Sequence, residues 1–100
     1  EISSGQISYR QVGGDLSNSQ LQILYERYRP GADTGQSMLT HDAEEGGIVL
    51  EGRLEVTVGD RVQILSAGDA YRFNSRQPHR FRNTGNEDCV IVSACTPPSF

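Results

Sequence analysis

Lysine is absent from this sequence of 100 residues, and the chain has only two histidines, two cysteines and one methionine. Without lysine, the chain cannot form the Schiff base that some enzymes make with carbonyl substrates. The sequence also lacks the Ser-His-Asp and Cys-His arrangements that are typical of nucleophilic catalysis. Binding and metal chemistry are therefore the functions that the composition leaves open.

Long hydrophobic runs are absent as well. No stretch approaches the roughly 20 apolar residues that a membrane-spanning helix needs, and the sequence has no signal-peptide pattern. We therefore predict a cytoplasmic protein with no membrane contact. Because the sequence begins at Glu1 and not at a methionine, we also expect it to be part of a longer protein.

The two cysteines, Cys89 and Cys95, fall in one apolar run that is typical of a β-strand. Their separation along such a strand is roughly 20 Å, whereas a disulfide needs Cα atoms within about 7 Å. They are therefore not expected to pair with each other. We predict reduced thiols in the core of a cytosolic protein.

The length predicts one domain, and 35% of the residues are hydrophobic, which is enough for one modest core. A domain of this size is only marginally stable alone, so burial at an oligomer interface would help. The net charge of −4 argues against nucleic acid as a direct partner of this chain and is compatible with a cationic ligand.

No stretch has the pattern of a useful amphipathic helix, while alternation of apolar and polar residues recurs along the chain. The predicted strands are 7–12, 21–28, 36–41, 45–50, 53–58, 62–65, 71–73, 79–83 and 89–95. In strand 21–28 both faces carry apolar residues, so it is expected to lie between a core and a subunit contact. Frequent turn signals between short strands predict an all-β sandwich or barrel.

The first of two histidine-bearing segments resembles the first cupin motif. Gly35 and Gly52 frame it, three residues lie between His41 and Glu45, and six lie between Glu45 and Gly52. Leu39 stands where that family has its first histidine. The second segment resembles the second cupin motif at Gly68, His79 and Asn83, although Asn74 and Arg76 replace its usual proline and glycine.

The resemblance covers residues 35–83 and implies a single-domain cupin, a double-stranded β-helix or jelly-roll barrel, over residues 1–100. It also implies a metal site made by His41, Glu45 and His79. Two imidazoles and a carboxylate suit one divalent transition metal such as Zn, Fe, Ni or Mn, with positions open for water or ligand. Alternatively, both histidines line a polar interior and form hydrogen bonds without metal. Both possibilities stay open.

A narrower resemblance rests on residues 30–35, 45–52 and 93–100. Together these resemble the C-terminal sensor half of bacterial repressors that join an XRE-type helix-turn-helix domain to a cupin domain, closest to putrescine- and polyamine-catabolism regulators. The resemblance implies a homodimer whose cupin half binds the inducer. DNA would be bound only through a helix-turn-helix domain that this sequence does not contain.

A polyamine such as putrescine or cadaverine needs carboxylates or aromatic rings for its ammonium groups and apolar walls for its methylenes. Glu45 is the predicted acidic anchor. The other predicted ligand-binding residues are Tyr25, Met38, Tyr71, Phe81 and His79. The aromatic residues among them could equally be ordinary core. A metal at Glu45 would partly neutralise it, so metal and a direct polyamine contact at this residue are competing hypotheses.

Two other functions fit the same segments. Small cupins include metal-dependent dioxygenases and isomerases, in which His41 or Glu45 would act as a ligand or a base. A dimerisation module with a vestigial pocket is the other alternative. We predict a regulatory domain and no enzymatic activity, on the ground of the family resemblance.

Overall fold

The computed structural model describes residues 2–4, 6–13, 19–35 and 42–98, and its secondary structure in these ranges consists of β-strands without helices. The strands are β1 Ile2–Ser4, β2 Ile7–Gln11, β3 Gln22–Tyr28, β4 Glu44–Glu51, β5 Arg53–Val58, β6 Arg61–Ser66, β7 Ala70–Asn74, β8 His79–Arg82 and β9 Cys89–Thr96. The predicted all-β class is therefore confirmed. No helix in the described ranges is long and apolar enough to cross a membrane.

The strands form two antiparallel sheets. The larger has the order β1-β2-β3-β9-β4-β7 and the smaller has the order β6-β5-β8. One core lies between them, since the buried apolar cluster takes residues from both sheets. Its members include Tyr28, Val49 and Ile91 from the larger sheet and Leu54, Val56 and Phe81 from the smaller. This is the two-layered arrangement expected of a jelly roll.

Alternation in sequence accounts for most strands. The strand predicted at 53–58 has the same bounds in the structure, and seven others are found within one residue of their predicted ends. The three-residue strand β1 was missed because a single apolar residue gives no period to detect. The strand predicted at 36–41 lies outside the described residues.

Strand β3 shows which of its two partly apolar faces is the inner one. Gln22, Leu24, Glu26 and Tyr28 are buried, whereas the residues between them are half-buried. The inner face of the larger sheet is thus set by the even-numbered positions of β3. A glutamine and a glutamate are consequently enclosed together with apolar residues.

Strand β9 contains both cysteines, and neither forms a disulfide. Cys89 is fully buried in the core. Cys95 is half-buried, and its thiol donates to the carbonyl oxygen of Pro97 at 3.3 Å. The prediction that the two cysteines share a strand and do not pair is confirmed.

The turn between β4 and β5 depends on Gly52, which adopts a left-handed conformation with φ of 77°. A Cβ at this position would overlap the carbonyl oxygen of Asp88 and lie 3.0 Å from the Cα of Cys89. Both neighbours are backbone atoms, so relief requires movement of the chain that leads into β9. A glycine is therefore required sterically as well as conformationally.

Replacing Gly52 with alanine should lower the free energy of unfolding by at least about 2 kcal/mol, because backbone strain and the overlap at Asp88 add together. Urea denaturation measures this change. Gly59→Ala is the matched control, since Gly59 also has a left-handed φ, of 61°, but a Cβ there meets nothing within 4 Å. Equal losses in the two variants would contradict the steric argument.

Candidate functional site

Glu45 lies on the inner face of the larger sheet. It pairs with Cys95 on one side and with Phe73 on the other, while Cys95 also pairs with Gln22. Because directly paired residues in antiparallel strands project to the same face, these four residues form one row across four strands. The interior row thus contains a carboxylate and a carboxamide.

Gly47 lies in the next inner row, between Ser93 and Tyr71. A Cβ on Gly47 would lie 2.7 Å from the Oη atom of Tyr71. The absence of a side chain on Gly47 therefore makes the space that the Tyr71 ring occupies. The phenol consequently lies flat against β4, close to the Glu45 row.

Glu45 and His79 come together inside the barrel. His79 Nε2 lies 3.3 Å from Glu45 Oε1, and the hydroxyl of Ser75 donates to the same carboxylate oxygen at 2.8 Å. The side chain of His79 is 1% exposed and that of Glu45 is 13% exposed. The two motif residues predicted to share a site are therefore neighbours, and the carboxylate is the one that solvent can reach.

The tautomer of His79 follows from its other ring nitrogen. Nδ1 lies 2.9 Å from the carbonyl oxygen of Gln77. A carbonyl only accepts, so Nδ1 carries the hydrogen. In the neutral ring, Nε2 then presents a lone pair towards the carboxylate of Glu45. Neither of these two facing atoms then supplies a hydrogen to the other.

Aromatic rings line the space beside His79. Ring centroids are 4.9 Å apart for Phe73 and His79 and 5.4 Å apart for Tyr71 and Phe81. The structure therefore brings Tyr71, Phe81 and His79 together. Phe73 was not among the predicted site residues, although its spacing of two from Tyr71 on one strand signals the same face.

Glu26 is a buried carboxyl group that the sequence analysis overlooked. It is 5% exposed. Tyr28 Oη donates to one of its oxygens at 3.0 Å, and the hydroxyl of Ser93 donates to the other. The signal in the sequence was an acidic residue alternating with Leu24 and Tyr28.

Burial is the main cause that raises the pKa of Glu26, from an ordinary value of 4.5 to about 7. The hydrogen bonds from Ser93 and Tyr28 lower it, and the charge of Glu45 raises it further. Burial also raises the pKa of Tyr71 well above its ordinary value, and the charges of Glu26 and Glu45 add to this effect. Both carboxylates therefore act on the same phenol.

Arginine does not balance these interior charges. In the described residues, the arginine–carboxylate ion pairs involve half-buried or exposed side chains. They join Arg27 to Asp88, Arg72 to Glu44, Arg76 to Asp42, Arg80 to Asp33 and Arg82 to Glu55. Since the chain has no lysine, the interior carboxyl groups rely on hydroxyl groups and one imidazole.

Two further interior groups have unsatisfied polar atoms. Neither amide atom of Gln22, which is 1% exposed, has a hydrogen-bond partner among the described residues. The same is true of the buried Oη atom of Tyr71. Unsatisfied buried polar atoms are rare in folded proteins and costly. Together with the two carboxyl groups, these atoms make a polar set within a largely apolar core.

Glu45 also borders an open hollow of about 240 Å³, which Leu21, Cys95 and Thr96 help to line. Its other lining residues, including Gly46, Arg72 and Ala94, belong to the outward face of the larger sheet, so the hollow lies outside the core. Glu26 and His79, in contrast, are enclosed.

Tyr25 does not lie where it was predicted. It belongs to the outward face of β3, opposite to Glu26, and the guanidinium of Arg10 stacks 5.5 Å from its ring centroid. The expectation that Tyr25 walls the interior is wrong, because alternation alone could not tell which face points inward. Met38 and His41 lie outside the described residues.

The described residues supply two of the three predicted metal ligands, Glu45 and His79. They contain no cluster of three or more histidine, cysteine, aspartate or glutamate side chains that could hold a metal. The third predicted ligand, His41, lies outside the described ranges. The orientation of His79 Nε2 towards Glu45 suits a cation, but a metal site stays a prediction.

The pKa of Glu26 has a consequence for stability. Its value of about 7 in the folded chain exceeds its ordinary value of 4.5, so the folded chain holds more protons than the unfolded chain between these limits. Its contribution is fully present below pH 4.5 and is lost as the pH rises towards 7. Glu26→Gln should remove this loss, which has a slope of at most roughly 1 kcal/mol per pH unit.

Urea denaturation of both proteins from pH 4.5 to 8 measures the difference. The remaining titratable groups are common to both proteins, so the difference between the two profiles reports the replacement of Glu26. Parallel profiles would show that Glu26 titrates normally and would contradict the assignment.

Comparisons with known proteins agree with this geometry. The HTH-type transcriptional regulator PuuR of Escherichia coli (strain K12) is 38% identical over 100 residues, which is all of this chain and 54% of that protein. This chain therefore spans about half the length of that curated relative. The predicted resemblance to regulators of this kind is confirmed.

Among solved structures, the Cupin_2 domain of an XRE family transcriptional regulator from Enterobacter cloacae superposes with a TM-score of 0.81. The two are 18% identical, and the match covers 94% of this chain and 99% of that chain. A sugar phosphate isomerase of the cupin superfamily from Silicibacter pomeroyi has a TM-score of 0.79 and 21% identity, over 94% of this chain and 61% of that chain. These likenesses show the fold. Since the Cupin_2 family model, described as a cupin domain, matches residues 24–95, this chain belongs to the cupin family.

Proposed function

We propose that this chain is the effector-sensing and dimerising part of a bacterial transcriptional repressor that acts in the cytoplasm. In this proposal, the barrel interior binds a polyamine such as putrescine or cadaverine. Binding relieves the attachment to DNA that a helix-turn-helix domain elsewhere in the full protein provides. The domain is a sensor and not an enzyme.

The observation that carries the proposal is the accessible carboxylate of Glu45, which forms no ion pair with an arginine among the described residues. Its partners are His79 and Ser75, so a cationic guest would gain a charge-assisted contact that the protein itself does not supply. The rings of Phe73, Tyr71 and Phe81 stand beside it. Such rings offer faces to an ammonium group and apolar contact to methylenes.

The regulatory part of the proposal is supported by the similarity to PuuR along the whole chain. The enzyme alternative is supported by a shared fold alone, since the isomerase is only 21% identical, and one fold can host many activities. A metal-dependent reaction would also need a metal site, and the described residues contain no group of three or more histidine, cysteine, aspartate or glutamate side chains that could hold a metal. A sensor, unlike an enzyme, needs groups that bind a ligand and no catalytic group.

Glu45→Gln tests the anchor. The unchanged chain should gain about 2.7 kcal/mol of stability with putrescine or cadaverine at 100 times the dissociation constant, and the variant should lose most of this gain because it lacks the charge. Thermal and urea denaturation with and without diamine measure both. Glu44→Gln is the control, since Glu44 lies next in sequence but is exposed and pairs with Arg72. It should respond to diamine like the unchanged chain.

Two outcomes would contradict the proposal. One is the absence of stabilisation by any diamine. The other combines two results. Elemental analysis finds one tightly held transition metal per chain that is lost in Glu45→Gln, and removal of the metal leaves diamine binding unchanged. That result would assign Glu45 to the metal and favour the enzyme alternative.

The full-length protein tests the regulatory claim. We expect the gene to encode a helix-turn-helix domain, and the protein to sediment as a dimer and to bind DNA from its own promoter region. Putrescine should weaken that binding by roughly 10-fold or more, within the usual range of coupling between two sites. Fluorescence anisotropy at fixed salt measures the change. A monomer, or DNA affinity that is unchanged at saturating diamine, would overturn this part.

A further inference from the structure

We infer that Glu26, together with Gln22 and Tyr71, forms a second cation-binding subsite, so that the barrel holds a diammonium ligand by both of its ends. This inference rests on the proposed function, in which Glu45 binds the first ammonium group. It adds Glu26 to the proposed binding site and gives a reason why a ligand with two positive charges should bind more tightly than a ligand with one.

The first argument is the position of Glu26 relative to Glu45. The Glu45 row includes Gln22 on β3, and Glu26 lies four residues further along the same strand and on the same face. Four strand steps correspond to about 13 Å of backbone. Tyr71 belongs to the row between them, since it pairs with Gly47. A line of polar groups therefore runs through the interior from one carboxyl group to the other.

The second argument is the set of unsatisfied polar atoms along that line. The amide oxygen of Gln22 accepts hydrogen bonds, and Tyr71 Oη can accept them too. Neither has a partner in the described part of the chain. An ammonium group is a donor with three hydrogens and no acceptor, so it can satisfy these two oxygens, whereas the amide nitrogen of Gln22 needs an acceptor. A neutral or anionic ligand would leave the carboxylates uncompensated.

The charges of the two carboxyl groups also favour a ligand with two positive charges. Glu26 and Glu45 interact electrostatically, and both act on Tyr71. A monoamine can neutralise one of the two carboxylates, whereas a linear diamine can neutralise both. Binding of the second ammonium group also favours the ionised form of Glu26, whose raised pKa of about 7 otherwise leaves much of it protonated at neutral pH. Diamine binding should therefore release protons.

The groups that face Glu26 all permit this role. Tyr9 packs from β2, Tyr28 lies on its own strand, Ser93 and Cys89 come from β9, and Tyr71 comes from β7. Burial raises the pKa of Tyr9 to about 12 and that of Cys89 to about 11, so both are neutral near pH 7. No cationic side chain in the described residues compensates Glu26.

Calorimetry with 1,4-diaminobutane and the matched monoamine 1-aminobutane tests the inference. The unchanged chain should bind the diamine at least about 10-fold more tightly than the monoamine. Glu26→Gln keeps the shape of the side chain, and its amide oxygen can still accept one of the two hydroxyl hydrogen bonds, while its NH2 group donates in place of the other. It should bring diamine affinity to within about 3-fold of monoamine affinity and leave monoamine affinity almost unchanged. Glu45→Gln should weaken both ligands.

Proton release provides a second measurement that does not need a variant. Titrations at pH 6.5 in buffers with different ionisation enthalpies should reveal protons released by the diamine and not by the monoamine. Circular dichroism and thermal melting check that Glu26→Gln folds. If Glu26→Gln does not fold, Ser93→Ala replaces it in the test. This variant removes one hydrogen-bond donor to Glu26 and should likewise reduce the preference for the diamine.

The outcomes separate the two proposals. If Glu26→Gln retains the full preference for the diamine and binding releases no protons, the second subsite is overturned while the anchor at Glu45 stands. If the unchanged chain binds the monoamine as tightly as the diamine, the second subsite is overturned as well. If it binds neither amine, both the proposed function and the second subsite fail.

Discussion

The enclosure of two carboxyl groups away from the arginines is the constraint on which the described structure depends. Two packed sheets bury Glu26 and place Glu45 beside His79 in an inner row. The ion-paired arginines among the described residues hold other carboxylates, whose side chains are half-buried or exposed. Enclosed carboxylates are costly unless they are hydrogen-bonded, protonated or neutralised. Hydroxyl groups and an imidazole satisfy part of this demand, and a cationic guest would satisfy the remainder.

In the proposed sensor, this arrangement would lower the stability of the domain and supply polar groups for a ligand. A raised carboxyl pKa and unsatisfied atoms on Gln22 and Tyr71 each cost stability. Departures of this kind from good packing and pairing are typical of functional sites. A sensor benefits from them, because a ligand that removes the cost binds with a corresponding gain and stabilises the bound state.

The sequence allowed good prediction of the elements and of part of the site. Alternation located most strands, and the spacing of the two motifs identified Glu45 and His79, which the structure places 3.3 Å apart. The motif glycine Gly52 also has a physical explanation, since its turn passes against the backbone of Asp88. These features are local, or depend on spacing that a linear pattern preserves.

The remainder depends on tertiary packing. Strand β3 has two partly apolar faces, and only its pairing with β2 and β9 decides that Glu26 points inward and Tyr25 outward. A carboxylate on the apolar side of a strand is normally taken as a solvent-exposed residue, because isolated carboxylates avoid burial. Glu26 was overlooked for this reason, although its burial is the most informative feature of the interior.

Carbon-detected NMR of the glutamate side chains, in a titration with 1,4-diaminobutane near pH 6.5, tests the central claim most directly. The account predicts that the carboxyl resonances of Glu26 and Glu45 both move and reach an end point together at one diamine per chain, with Glu26 ending at the chemical shift of an ionised carboxylate. Resonances that stay in place while exposed glutamates such as Glu44 and Glu87 respond would contradict it.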